Sequence, residues 1–285
     1  MINKILENII IYLEQIDFDQ NGENLWELNT IECKTMEAFY EELQSREECD
    51  HCNSKNTIIL SNQAKAIAYA NEKNYACVQV LPVMGTLLQK DAISYSVESL
   101  AAIDQRYLER VLRRKLDLPW IIFETKEYLV REMTTKDVEE LYRIYEDEEI
   151  RKFVDPLYED VEMEKSYVQN EMKREYQFYE FGIWVVIDKD TDRVIGRAGI
   201  TMRQDEKDPE IGYLICKTMR GKGVATQILT KILDYAKEEL EISALNAMIL
   251  CDNLKSIHIC EKLGFHYVMN REILTQEYLM YKIIL

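Results

Sequence analysis

The chain has 285 residues, 35 of them basic and 52 acidic for a net charge of −17, and 47% of it is hydrophobic. That length suits about two domains, and so much apolar material can build a core, which excludes wholesale disorder. The acidic balance disfavours nucleic acid or an anionic membrane as the main ligand, since phosphate backbones reward a basic face, and it is compatible with a cationic partner such as an amine. Ile2, Ile5, Leu6, Ile9, Leu13 and Ile16 stand at helical spacing and predict a first helix over 2–16. A second helix is expected to include Trp26, Ile31, Met36, Phe39, Tyr40 and Leu43, followed by a polar loop over 45–55. Residues 57–60 read as a strand, 62–73 as a helix and 75–81 as a strand, a β-α-β unit with parallel strands. A long helix is expected around 96–115, and Pro119 with the segment to 127 marks a domain boundary.

Beyond it, 128–133 reads as a strand and Thr134 with Asp137 as a capping-box-like helix start, with helical segments to about 180. Residues 182–187 and 193–203 look like paired strands around the turn residues 188–192. A strand over 211–216, a helix over 224–240, a strand over 244–250, a helix over 254–263 and two terminal strands complete an α/β pattern with a mixed sheet. Seven of the nine glycines fall in this half, so tight turns and close backbone approaches concentrate there.

No apolar run reaches the length of a membrane span, and the N-terminus shows no secretory leader pattern. Seven cysteines without framework spacing fit a reducing, cytoplasmic setting better than a disulfide scaffold. Cys49-Asp50-His51-Cys52 resembles half a zinc site but lacks a second ligand pair, so no metal is expected. The acidic run 146–149 reads as a solvated face or, as a minority reading, a cation-attracting rim.

The chemistry concentrates between 210 and 226, where a strand enters a turn with Arg220, Gly221, Lys222 and Gly223 and leaves as an amphipathic helix through Val224, Ala225 and Thr226. The first N–H groups of a helix lack partners and its dipole places positive charge there, so glycines that admit a ligand to those donors make an anion cradle. The spacing matches neither a Walker A loop nor the Rossmann glycine pattern.

Arg220-Gly221-Lys222-Gly223-Val224-Ala225, followed by Asn253-Leu254-Lys255-Ser256 and Glu261-Lys262-Leu263-Gly264-Phe265, resembles the coenzyme A signature of the GNAT acyltransferase superfamily. Gly196-Arg197-Ala198-Gly199-Ile200 and Glu210-Ile211-Gly212-Tyr213 sit where that superfamily has its third and fourth strands, and the branch it is most similar to contains the ribosomal-protein N-terminal acetyltransferases. The resemblance implies a GNAT fold over 128–285; the β-α-β pattern before it reads as a smaller Rossmann-like α/β domain over 1–120 that serves acceptor specificity or a homodimer. It implies an acetyl-CoA-dependent N-acetyltransferase acting on an amine-bearing small molecule or protein; the alternative is a non-catalytic acyl-CoA sensor. Residues 221–225 would hold the pyrophosphate, with Arg220 and Thr226 beside them. Tyr213, Leu214, Ile215 and Cys216 would serve the pantetheine through their backbone, and Asn253 and Ser256 would flank it. Glu210 is the expected base. Relatives place a tyrosine donor where this chain has Cys260, so a dedicated acid is in doubt; Tyr267 and Ser256 are weaker candidates. In the first half, Asp17-Phe18-Asp19 with Ser61 faintly resembles phosphatases of the haloacid-dehalogenase type, but the predicted helix over 2–16 stands where that motif needs a strand.

Overall fold

The computed structural model describes residues 5–14, 28–47, 53–85, 95–203, 206–273 and 275–285. The chain divides into two compact units, Met1–Trp120 and Ile121–Leu285.

The first unit carries β1 (Asn8–Tyr12), β2 (Asn29–Glu32), α1 (Met36–Glu47), β3 (Thr57–Gln63), α2 (Ala64–Glu72), β4 (Ala76–Met84), β5 (Tyr95–Val97) and α3 (Gln105–Lys115). Its strands join all-parallel in the order β2-β1-β3-β4-β5. Ile9 and Ile11 pack into one core with Leu108 and Leu112 of α3, while Ile10 and Tyr12 pack into another with Phe39 and Leu43 of α1. A strand buried on both faces shows an unbroken apolar run, which periodicity alone does not separate from a buried helix. This corrects the helix expected over 2–16. Ile31 is likewise in β2, not in the second helix. The helix expected from 96 starts at Gln105, because Asp104 caps it by accepting the Tyr107 N–H at 2.6 Å, after β5 and a 3₁₀ turn.

With β1 a strand, one objection to the phosphatase resemblance falls, while the other, that no catalytic Lys–Asp set follows in the sequence, stands; Asp17, Asp19 and the 49–52 cluster lie outside the described residues. The Ser61 hydroxyl is committed to Tyr12 O at 2.6 Å, which ties the end of β3 to the end of β1.

The second unit holds β6 (Ile121–Glu124), β7 (Tyr128–Glu132), α4 (Val138–Tyr145), α5 (Glu148–Arg151), α6 (Val161–Tyr167), α7 (Lys173–Tyr179), β8 (Ile183–Asp188), β9 (Arg193–Thr201), β10 (Glu210–Ile215), α8 (Val224–Glu238), β11 (Ala244–Leu250), α9 (Leu254–Lys262), β12 (His266–Ile273) and β13 (Gln276–Ile284). One turn of π-helix joins α6 to α7. The sheet runs β12-β13-β11-β10-β9-β8-β7-β6, parallel only between β10 and β11. The boundary segment is therefore not all linker: residues 121–124 form its edge strand. Thr134 and Asp137 make the capping box at the entry to α4, and Asp137 also pairs with Arg131 at 2.7 Å. No helix among the described residues is long and apolar enough to cross a membrane.

Two faces follow from the pairing, since residues opposite each other across an antiparallel ladder point the same way. Trp184, Ala198 and Tyr213 share one face, where Trp184 meets Tyr235 of α8 edge-on at 5.7 Å and the Tyr213 hydroxyl reaches Ser256 of α9 at 3.2 Å. Arg197, Leu214, Thr201 and Glu210 share the other, where Arg197 lies 5.3 Å from the Tyr145 ring of α4.

Candidate active site

β10 pairs with β9 at all six of its residues but meets β11 at the single pair Glu210–Asn246. Asn246 fastens that point: its N–H donates to Pro209 O at 2.8 Å and its side-chain amide to Asp208 O at 3.2 Å. Beyond it β10 follows β9 and β11 follows β13, to which it is paired from Ala244 to Leu250, so the two parallel strands part. A cavity of about 720 Å³ opens there, within the range of small-ligand sites. Its lining comes from both faces of the sheet, Tyr158, Tyr167 and Arg197 on one side and Ser256, Cys260 and Phe265 on the other.

Backbone alternation divides the residues of β10. Cys216 N–H is spent on Ile195 O at 2.8 Å, whereas Pro209 O points to β11. Ile211, Tyr213 and Ile215 therefore turn their peptide groups toward the gap, and Leu214 and Cys216 turn theirs toward β9. Among the residues expected to bind through backbone, Tyr213 and Ile215 keep that option, with Ile215 O already accepting from Arg220 Nε at 3.2 Å. Tyr213 and Leu214 line the cavity, whereas Ile215 and Cys216 do not.

After a 3₁₀ turn at Lys217–Met219, Gly221 and Gly223 hold φ of +74° and +80°, a left-handed conformation that disfavours a side chain. A Cβ at either would meet nothing within 4 Å, so the turn is open. Gly223 is the N-cap of α8 and offers no side-chain acceptor, which leaves the N–H groups of Val224, Ala225 and Thr226 without an intrahelical partner. Val224 is buried beneath, and Lys222 is exposed with Nζ 3.6 Å from Met219 Sδ.

Arg220, expected beside the diphosphate, also reaches the acidic run before it. Its guanidinium is 2.8 Å from Asp147 and 2.7 Å from Glu149, and Lys255 lies 2.6 Å from Glu149. Lys255, then Arg220, hold the Glu149 carboxyl below the usual carboxylate range. The acidic run is not simply a solvated face: two of its members bind the glycine turn and α9 to the start of α5. With its charge already answered, Arg220 braces the turn. Asn253 is likewise partly committed, its Oδ1 capping α9 by accepting Ser256 N–H at 3.2 Å, and both residues line the cavity.

Glu210 lines the cavity at the fork. Burial pushes its carboxyl up, while an ion pair with Arg203 and the Met248 N–H pull it down; burial wins. Cys260 is buried, and burial pushes its thiol up to about 12. Such a thiol gives up a proton less readily than an ordinary one, whose pKa is roughly 8.5, which weighs against the acid role considered for it. The Tyr213 phenol, which also lines the cavity, is held to Ser256 Oγ at 3.2 Å; burial raises it, and the Ser256 hydrogen bond opposes that rise. Tyr267 is exposed, pairs with Asn270 at 2.6 Å and does not line the cavity.

Residues 128–266 match the family described as the acetyltransferase (GNAT) domain. The uncharacterized N-acetyltransferase p20 of Bacillus licheniformis is 30% identical over 145 residues, covering 50% of this chain and 80% of the relative. The chain belongs to the GNAT acetyltransferase family. The uncharacterized N-acetyltransferase YoaA of Bacillus subtilis is 27% identical over 146 residues, 50% of this chain and 82% of that one. In fold, the ribosomal-protein-S5-alanine acetyltransferase of Vibrio fischeri superposes with a TM-score of 0.51 at 16% identity, over 57% of this chain and 95% of that one. The protein is an acetyltransferase, and its family match begins at β7.

Sequence reading missed three contributors to this GNAT site. Arg203, partner of Glu210, comes from the β9–β10 connection, and Asp147 braces the turn from 73 residues upstream of Arg220. Arg197 was noted only as part of a strand, yet it lines the cavity. Only the alternation of β9, which puts Arg197 on one face with Gly199 and Thr201, hinted at that position.

Proposed function

We propose that residues 121–285 transfer an acetyl group from acetyl-CoA to a primary amine by direct attack. The observation that carries this reading is the parting of β10 from β11 beyond Glu210–Asn246, beside a glycine turn open to an anion. Acetyl-CoA, when bound, supplies the acetyl group as a thioester. The α8 N-terminus with Gly221 and Gly223 would hold its diphosphate, the gap-facing peptides of Ile211, Tyr213 and Ile215 its pantetheine arm, and Asn253 and Ser256 the α9 side of that arm.

A protonated alkylamine, with a pKa of about 10.4, must lose a proton before it can attack. Glu210 is the base in this reading, directly or through one water. Its burial makes it a better base than an exposed carboxylate, and Arg203 favours the ionised form that accepts the proton. The Tyr213 hydroxyl, fixed by Ser256, offers a proton to the departing thiolate. The acceptor, small molecule or protein, enters from the face that carries Tyr158 and Tyr167.

A screen of primary amines, read as free thiol released from acetyl-CoA, tests the reading. Thiol release that depends on both amine and enzyme is the expected result. Coenzyme binding without turnover on any amine or protein N-terminus would replace it with the sensor reading.

A further inference from the structure

Residues 121–285 contain nine arginines, and eight keep a carboxylate within 4.0 Å: Arg131 with Asp137, Arg143 and Arg193 with Glu140, Arg151 with Glu148, Arg174 with Glu171, Arg203 with Glu210, Arg220 with Asp147, and Arg271 with Glu206. Arg197 has no such partner among the described residues. In a chain with 17 more acidic than basic side chains this is unexpected of an exposed arginine and more so of one in a cavity wall. A partly buried guanidinium without an anion bears a desolvation cost that an ion pair would offset.

Its surroundings fit a binding role. Arg197 lies 5.3 Å from the Tyr145 ring, a cation–π contact that holds the side chain, and among the described residues no carboxylate pairs with its N–H fork. Tyr167 lines the same wall; of the carboxylates lining it, Glu164 is engaged by the Tyr158 N–H at 3.0 Å, and Asp155 is not within 4.0 Å of the guanidinium as an ion pair. Across β10 from Arg197 stands Leu214, and two residues along stands Gly212, where a Cβ would meet nothing within 4 Å. The floor between Arg197 and Glu210 is thus bare over Gly212, and the two charged groups share a sheet face about four residues apart in register, roughly 13 Å of strand. An acceptor that extends its amine toward Glu210 can lay a carboxylate against the Arg197 fork.

We infer that Arg197 is a specificity residue that selects amines carrying a carboxylate, either free amino acids or peptide N-termini that open on an acidic side chain. Planar, bidentate pairing suits a guanidinium to a carboxylate, and a lysine in its place would keep the charge but lose the fork. The inference rests on the acetyl-CoA reading above, because it names the acceptor of that same site.

The test is kcat/KM for thiol release on paired acceptors that differ in the carboxylate: amino acids against their primary amides, and short peptides opening on Asp or Glu against Asn or Gln. Wild type is expected to favour the carboxylate member of one arm by roughly 10- to 100-fold, and the arm that responds tells where the carboxylate comes from. Arg197→Gln should remove that preference, lowering kcat/KM on the carboxylate members by roughly 10-fold more than on the amides, with Arg197→Lys intermediate. Equal loss on both members, no preference in wild type, or a silent panel from a chain that binds acetyl-CoA would each overturn the assignment and leave the coenzyme reading standing. Failure to bind acetyl-CoA, measured by calorimetry on the same preparations, would sink both.

Discussion

Arg220 Nη1 lies 2.7 Å from Glu149 Oε2, so the residue that opens the glycine turn is fastened to the first turn of α5. Asp147 caps α5 through the Glu149 N–H at 3.1 Å and meets the same guanidinium at 2.8 Å. The half-buried Asp147–Arg220 pair is the stronger support, since the Glu149 contacts are screened by solvent. Asp147→Asn is expected to weaken acetyl-CoA binding roughly tenfold by loosening the turn, with kcat at saturating coenzyme within about twofold. Titration calorimetry and saturation kinetics check this; unchanged affinity would show that the turn holds its shape without α5.

Glu210→Gln keeps the shape and the Arg203 contact but removes the basic oxygen. The expected loss in kcat is about 10²- to 10³-fold, with coenzyme affinity unchanged. Retained kcat would move the base elsewhere in the cavity.

Arg203 is one of the causes that lower the Glu210 carboxyl, opposing burial, which raises it. Because the base works ionised, activity falls as pH drops through its pKa. Removing Arg203 removes a lowering cause, so Arg203→Gln should shift the acid limb of the kcat/KM profile to higher pH. A limb that stays in place, or moves down, would detach Glu210 from the profile.

Cys260 keeps its proton at neutral and mildly alkaline pH, since burial pushes it up to about 12. Cys260→Ser should therefore retain turnover within about threefold, and Tyr213→Phe should lower it by more. Thiol alkylation at mild pH should label the exposed Cys251 and spare Cys260. A large loss of turnover in Cys260→Ser would restore the thiol to the mechanism.

The second unit was legible because its signals are local: glycines at positive φ, a capping asparagine and amphipathic helices each constrain a few neighbouring residues. What the sequence could not carry was partnership across distance. Nothing near Glu210 announced Arg203 as its partner, and nothing in residues 146–149 announced a brace for a turn 70 residues on. In the first unit the β-α-β pattern was legible, with β3 and β4 parallel as expected, but the start of the unit failed for a different reason. Ile9, Ile10 and Ile11 are buried on alternating faces between parallel neighbours, and such a run has no polar side to mark its period.

Titration of acetyl-CoA into the wild-type chain and into Gly221→Asn tests the central claim most directly. Asparagine tolerates the left-handed backbone that Gly221 holds, so the variant should keep its melting temperature while a side chain stands in the open turn. One site per chain in wild type, and affinity at least tenfold weaker in the variant, is the predicted result. Equal affinity in both, or no binding at millimolar coenzyme, would contradict the account.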